Sequence, residues 1–563
     1  MKRWEICPKI NEEIKNKFPE INPIVLQLLY NRGLKTQKEI DEFLLPDYSQ
    51  DIADPFIFLE MQKAVDRIYQ AINNKEKILI YGDYDADGVS STFVLYEILK
   101  KLGARIETYL PDRELEGYGL NKEAIKNFVE KKINLIITCD CGIANADEVD
   151  SANRGGIETI ITDHHLEPKI LPKALAIINP HLKREKYPFE DLAGVGVAFK
   201  LIQALLQSEK CVLEDKEASE KWLLDLVALG TIADAMPLLK ENRTLCKYGL
   251  LVLNKTRNQG LKALIEKSGL KGVLDTQNIY YQLGPRLNVA GRIDHANESL
   301  KLLLAEGDEA HSLASKINAL NEKRQKMVED LFTEIKRELG EDPKKHFLIV
   351  FKEKSPVGIL GLLSQKLVEN YARPAVVMTK TEKGDLKASG RSIECFDLYA
   401  ALSSFSDYFT NFGGHRGAAG FTLKRFEDFE EFKEEMEQLA EKEIKDKDLR
   451  QKIEIEAEVK LPDINWDLQE ELLRFEPFGH GNQKPLFLLS SINLRNIEIV
   501  GQNGRHRRLV IEDGRKMIYF NSDKEVAGLK IGDKIDVVFE LGVNQWNGQQ
   551  SLEMKVIDAK RSM

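Results

Sequence analysis

From residue 77 onward, short apolar runs alternate with amphipathic helical stretches. KILIY (77–81), RIETYL (105–110), NLIIT (134–138), ETIIT (158–162) and ALAII (174–178) read as buried strands. VSSTFVLYEILKKL and ANADEVDSANRGG, which lie between them, carry helical periodicity, and LAGVGVAFKLIQALL and ASEKWLLDLVALG follow. Strand–helix alternation of this kind predicts right-handed crossovers and a mainly parallel sheet. Ahead of it, the first sixty residues read as helical and end in the turn-rich stretch LLPDYSQDIADPF.

Farther along, Ala310, Leu313, Ile317, Leu320, Met327, Leu331, Ile335 and Leu339 recur at helical spacing. Arg324 breaks that stripe, and Gly340 is a natural stop. A continuous helix over 309–339 is about 45 Å long. It reads as a bridge, because a new strand–helix unit (HFLIVF, then GILGLLSQKLVENY) begins directly after it. A charged helix, FEDFEEFKEEMEQLAEKEIKDKD, then gives way to KIEIEAEV, NLRNIEIV, RRLVIED, KMIYF, KIDVVFEL and SLEMKVIDA. Five or six short strands suggest a small antiparallel barrel of the OB type. The expected division is 1–60 N-terminal helical segment, 61–245 catalytic α/β domain, 246–342 helical connector with the long helix, 343–445 smaller α/β domain and 446–563 barrel.

At roughly 150 residues per domain, 563 residues make three or four domains. The formal net charge of −10 excludes a protein that coats nucleic acid by bulk positive charge, but it leaves room for a basic groove or a site charged by metal ions. Six scattered cysteines do not make a disulfide scaffold and favour the cytoplasm. No apolar run approaches the roughly 20 residues that span a bilayer, and the N-terminus has no secretion-signal pattern.

Three polar clusters change the picture. YGDYDADGVSS places Asp83, Asp85 and Asp87 after the first strand, TCDCG places Asp140 after the third, and TDHH places Asp163, His164 and His165 after the fourth. Carboxyl ends of parallel strands are where open α/β sheets bind ligands. One aspartate after a strand is usually a cap or turn residue. Three clusters in register are a different matter, since five carboxylates and two imidazoles in one crevice repel unless neutralised. Oxygen ligands with imidazole suit Mn²⁺ or Mg²⁺ and can hold two ions, the arrangement that clamps a phosphoryl displacement. A calcium loop is excluded because its twelfth position is Val94, and Cys139 and Cys141 flank Asp140 without a second pair to complete a zinc site.

YGDYDADGVSS, TCDCG, TDHH and GTIADAMPL, in that order, resemble the four motifs of the DHH phosphoesterase superfamily. Asp83, where many DHH relatives carry histidine, is similar to the RecJ family of single-stranded-DNA exonucleases. INPHLKREKYPFEDLAGVGVAFKL, QLGPRLNVAGRI, SPVGILGLLSQKLVENYARPAVV, ASGRS and FGGHRGAAGF match that family too. The resemblance spans about residues 20 to 560 and implies DHH, DHHA1 and OB domains. It makes Asp140 a bridge between two ions, Asp83 and Asp85 ligands of one, and Asp87, His164 and Asp234 ligands of the other. Asp163 orients the site, and His165 serves the phosphate or leaving oxygen. Ser389-Gly390-Arg391 and Gly413-Gly414-His415, read as glycine-rich turns, carry the DHHA1 phosphate contacts. Arg113, Ser389 and Arg391 enclose a 5′-phosphate, while Arg286, Asn288 and Arg292 hold backbone phosphates. In the barrel, Arg505, His506, Arg507 and Arg508 supply charge, and Phe478, Tyr519, Phe520 and Trp546 are candidate base-stackers unless they belong to the core.

The implied activity is 5′→3′ hydrolysis of single-stranded DNA to 5′-mononucleotides, in recombination and repair. A helicase and a single-strand-binding protein are possible partners; no membrane is involved. Some family members carry another domain after the barrel; the sequence stops at Met563, so a partner bound through such a domain is not expected. The alternatives are a DHH-type phosphodiesterase on short oligonucleotides, cyclic dinucleotides or RNA, and a non-catalytic replication scaffold.

Overall fold

The computed structural model describes residues 2–562 apart from 114, 294, 502, 503, 523, 524 and 547. The chain forms two compact units: 48–236 with 241–449, and 1–47 with 237–240 and 450–563.

The first unit is built on five parallel strands in the order Arg105–Tyr109, Lys77–Gly82, Leu135–Cys139, Glu158–Thr162 and Ala176–Ile178. The central strands are buried on both faces, which is why they read as unbroken apolar runs. Leu79, Tyr81, Ile136 and Ile161 pack against Ile125, Phe128, Val149 and Ala152 of the helices Lys122–Glu130 and Ala146–Arg154. Helices Ala86–Lys101, Gly194–Gln207 and Leu224–Ala233 pack on one another elsewhere in this domain. From Lys77–Gly82 the chain builds first to one side and then to the other. The order therefore reverses between that strand and Leu135–Cys139, opening a crevice at their carboxyl ends.

The same unit contains a second, five-stranded sheet in the order Phe409–His415, Ala418–Leu423, Leu386–Arg391, Ala375–Lys380 and Leu348–Phe351. Only its last two strands are parallel to each other. The 33-residue helix Gly307–Leu339 joins the two parts. Near its start it packs on the helices Gln259–Lys267 and Gly284–Ile293, while Val328 and Ile335 enter the core with Leu348, Ile359 and Leu363.

In the second unit, Leu486–Val500, His506–Ile511, Lys516–Tyr519, Gln549–Arg561 and Lys534–Trp546 run round a barrel that closes between the first and last of these. Three of these strands are 13 to 15 residues long, not short as expected. Leu486–Val500 serves two neighbours by bending at an irregularity between Leu489 and Ile492, where Ser491 has φ 54°. Phe487, Phe539, Val537 and Leu509 fill the interior.

Residues 1–47 are not an independent helical segment. Val25, Leu28, Leu29, Ile40 and Phe43 join the barrel core, and Arg3–Ile6 is a strand parallel to Lys452–Ile455. Four residues whose partners lie some 450 positions away give no local signal of strand. Arg32 ties this segment down: it forms a bidentate pair with Glu456 (2.5 and 3.2 Å) and donates from Nε to Asn482 Oδ1 at 2.8 Å. Both partners are largely buried. Arg32→Ala strands a buried carboxylate, so we expect a loss of about 3 kcal/mol. Faster hydrogen exchange of Leu486–Val500 amides reports it, with amides of Leu135–Cys139 unchanged.

Candidate active site

The crevice receives its acids in register. The amides of Asp83, Asp140 and Asp163 bond the carbonyls of Cys139, Thr162 and Ile178 at 3.2, 3.0 and 3.1 Å, so each aspartate is the first residue past its strand. Asp140 turns there in the left-handed region, φ 62°, a strained conformation for a residue with a Cβ. Asp85 caps the helix Ala86–Lys101, accepting from the Asp87 and Gly88 amides at 2.9 and 3.0 Å. Asp87 accepts from the Gly194 and Val195 amides at 2.7 and 2.9 Å, at the positive end of the helix Gly194–Gln207. A Cβ on Gly194 would lie 2.5 Å from Asp140 Cβ, so only glycine lets this helix end approach both acids. Asp234 arrives at the C-terminus of Leu224–Ala233.

Ligand-capable atoms lie within 4.8 Å of one another in three sets: Asp83, Asp85 and Asp140; Asp87, His164 and Asp234; Asp140, His164 and His165. His164 Nε2 is 3.1 Å from Asp140 Oδ1 and 3.7 Å from Asp234 Oδ2. The shorter contact is not aligned as a hydrogen bond, and Asp140 Oδ1, like Asp83 Oδ1, is buried without a hydrogen-bond partner.

Asp163 is fully saturated. It accepts from the Ile143, His164 and His165 amides at 2.9, 2.8 and 3.1 Å and from His165 Nδ1 at 2.8 Å. It positions both histidines rather than facing the crevice. The His165 side chain is 46 % exposed against 10 % for His164, which makes it the accessible imidazole. The Tyr118 hydroxyl lies 3.0 Å from His165 Nδ1 and donates to the Asp140 carbonyl at 3.2 Å.

Burial, then mutual repulsion, sets the electrostatics. Desolvation followed by Asp85 pushes the Asp83 carboxyl well above its usual range and Asp87 to about 7. Asp140 and Asp234 rise for the same reason, with Asp87 their main neighbour. Burial and the neighbouring His165 lower His164 to about 4, leaving it neutral and able to act as a ligand. Burial opposes the charge of His165 too, but Asp163 outweighs it and raises His165. Burial likewise works against ionised Asp163, which is nonetheless lowered by its His165 hydrogen bond. Crowded acids that retain protons, orphaned oxygens and a neutral imidazole suit divalent cations, which displace such protons.

Beside the acids lies a cluster of guanidinium groups. Arg113 sits 5.0 Å over the Tyr84 ring, and Arg391 donates to the Gly390 carbonyl at 2.8 Å with Ser389 Oγ at 3.5 Å. Arg292 donates to the Gly358 carbonyl at 3.0 Å; burial, Arg113 and Arg324 depress it to about 9. Guanidinium groups crowded in this way suit a bound anion. Asn288 accepts from the Ala86 amide at 2.7 Å, which makes it a support for the acid loop. Arg286 bonds Gln282 and Asn318.

Ser389-Gly390-Arg391 and Gly413-Gly414-His415 are strand segments, not turns. Gly390 is needed for packing, since a Cβ there would lie 2.8 Å from Leu398 and 2.9 Å from Val376. Gly414 and His415 are exposed on the outermost strand, two strands from Arg391 and about 10 Å away. His415 is in register with Arg391 through Ala418, so the two side chains share one face of the sheet. In the barrel, Tyr519 is buried and Phe478 packs on the core, whereas Phe520 is exposed beside His506; the Trp546 side chain lies outside the described residues. Arg507 and Arg508 are engaged with Gly504, His506 and Glu498, and Arg505 is exposed. Sequence reasoning missed Tyr84, Tyr118 and Arg324; for Arg324 the broken apolar stripe was the available signal.

Residues 77–231 match the DHH family, N-terminal domain, 344–442 the DHHA1 domain and 455–558 the RecJ OB domain. The chain is 39% identical over 568 residues to the single-stranded-DNA-specific exonuclease RecJ of Bacillus subtilis (strain 168), covering 99% of this chain and 70% of that one. It is 31% identical to the enzyme of the same name from Escherichia coli (strain K12), over 96% of each chain. The crystal structure of RecJ in complex with Mn²⁺ from Thermus thermophilus superposes with a TM-score of 0.86 at 27% identity, over 100% of this chain and 80% of that one. The chain belongs to the RecJ family of single-stranded-DNA-specific exonucleases.

Proposed function

We propose that this chain degrades single-stranded DNA from its 5′ end, releasing 5′-mononucleotides with the help of two divalent cations, Mn²⁺ or Mg²⁺. The observation that carries the reading is the meeting of acids and imidazoles from separate strand ends around oxygens left without partners. Asp83, Asp85 and Asp140 would hold one ion, and Asp87, His164 and Asp234 the other, with Asp140 available to both. When bound, such ions neutralise the acids, polarise the phosphodiester and bring the pKa of water towards neutrality.

The chain's own groups bind and orient. His165, held by Asp163, faces solvent and suits a phosphate or leaving oxygen. Arg113, Ser389 and Arg391 grip the terminal 5′-phosphate and so set the direction of digestion, while Arg286 and Arg292 hold the backbone behind it. The division of labour follows 61–245 for chemistry, 246–342 for connection, 343–445 for closure over the end and 446–563 for holding the strand. A helicase and a single-strand-binding protein are the partners that supply and protect such strands during recombination and repair. No helix among the described residues is long and apolar enough to cross a membrane, and the six free cysteines fit a cytoplasmic site of action.

Digestion of a 5′-labelled against a 3′-labelled single strand tests the reading. Mononucleotide release from the 5′ label only, abolished by chelator and reduced at least about 1,000-fold by Asp140→Ala, is expected. Release from the 3′ label first contradicts it. Arg391→Ala is expected to cost about tenfold in kcat/KM on 5′-phosphorylated strands and little on 5′-hydroxyl strands.

Stability gives an independent check. Asp83, Asp87, Asp140 and Asp234 have raised folded pKa values, so in chelator the folded chain holds protons that the unfolded chain has lost. Their contribution is fully present below the unfolded value near 4 and is lost as pH rises through the folded values. His164 and Asp163 act oppositely but are outnumbered. The chelated protein should therefore melt at a lower temperature near pH 8 than near pH 5, and Mn²⁺ should remove most of the difference.

A further inference from the structure

A pair of exposed aromatics lies at the start of the helix that carries Arg286, Asn288 and Arg292. Tyr280 and Tyr281 are 46% and 65% exposed, with ring centroids 4.9 Å apart at 83°. They project from Ile279–Leu283, a π-helical turn that continues into Gly284–Ile293, the helix carrying Arg286 and Arg292. Turns of that kind are uncommon and concentrate at functional sites. Ile279 and Leu283 are buried, so the turn is anchored from below while both rings face outward. The following glycine, Gly284, approaches Ala233, the neighbour of Asp234; a Cβ there would meet the Ala233 side chain at 3.0 Å.

Two arginines lie close by on the protein side, Arg286 largely buried, while Glu369 is the charged group nearest Tyr280. Gln282, next to Tyr281, accepts from Arg286 through its carbonyl (2.9 Å) and Oε1 (3.0 Å). Burial and Arg286 both disfavour the charge on Arg324, whose buried Nε has no hydrogen-bond partner. Among the described residues neither arginine has an ion-pair partner. From Arg292, in the guanidinium cluster, back to Tyr280 is roughly 15–18 Å along the helix, a distance that several nucleotides of an extended strand span.

We propose that Tyr280 and Tyr281 form a base-stacking platform for nucleotides two or more positions beyond the scissile bond, with Arg286 and Arg324 beside it for the backbone. The proposal rests on the single-strand exonuclease reading and adds to it a subsite that grips the undigested strand. Stacking on aromatic side chains is sequence-tolerant, since every base has a π-face, which suits an enzyme that advances along any strand.

The test compares Tyr280→Ala/Tyr281→Ala with Tyr280→Phe/Tyr281→Phe. Fluorescence anisotropy in chelator gives the affinity for a 3′-labelled single strand of about 20 nucleotides, and turnover with Mn²⁺ is measured on that strand and on a 5′-phosphorylated dinucleotide. The alanine pair should weaken strand affinity about tenfold, keep dinucleotide kcat/KM within about twofold of wild type, and be restored by the phenylalanine pair. Unchanged strand affinity overturns the platform. So does parallel loss on both substrates, or a phenylalanine pair as weak as the alanine pair. A wild type that cleaves neither substrate removes the exonuclease reading, while the affinities in chelator still decide the platform.

Discussion

Electrostatic repulsion among buried carboxylates is the constraint from which the catalytic unit takes its form. Asp83, Asp87 and Asp140 are nearly inaccessible to water and lie within ligand distance of Asp85, His164 or Asp234. Such crowding persists only where backbone structure enforces it. The sheet ladder fixes Asp83, Asp140 and Asp163 one residue past their strands, while helix N-termini hold Asp85 and Asp87 through amide hydrogen bonds. The left-handed Asp140 and the close approach of Gly194 belong to the same arrangement. Each feature costs stability alone and is offset when cations replace protons.

The helix Gly284–Ile293 transmits that geometry to the second sheet. It approaches Ala233 through Gly284, holds the Ala86 amide through Asn288 and lies against the Tyr84 backbone at Gly291. At its far end Arg292 reaches the Gly358 carbonyl. One short helix thus touches the loops that carry the acids and the domain that carries Ser389 and Arg391. The acid cluster and the guanidinium cluster are thereby held in a fixed relation.

What could be read from the sequence follows from how local each signal was. Parallel strands buried on both faces announce themselves as apolar runs, and strand-end acids are adjacent to those runs, so Asp83, Asp140 and Asp163 were legible. Asp234 had no such cue and was found only through the resemblance of GTIADAMPL to a known motif. The strand Arg3–Ile6 was invisible because its partner is remote, and ASGRS was misread as a turn because glycine at 390 serves side-chain packing, not chain reversal. Tyr118 and Tyr84 act through contacts that no spacing encodes. Arg324 was noticed as an interruption of an apolar stripe, but its neighbour Arg286 is supplied by another helix.

The claim on which the rest depends is that this acid crevice takes up a pair of divalent ions. Isothermal titration of the metal-free protein with Mn²⁺ measures it directly. The account predicts two ions per chain with proton release, and fewer than two for Asp140→Ala. Heat no greater than that of dilution in the wild type, or full uptake by Asp140→Ala, contradicts it.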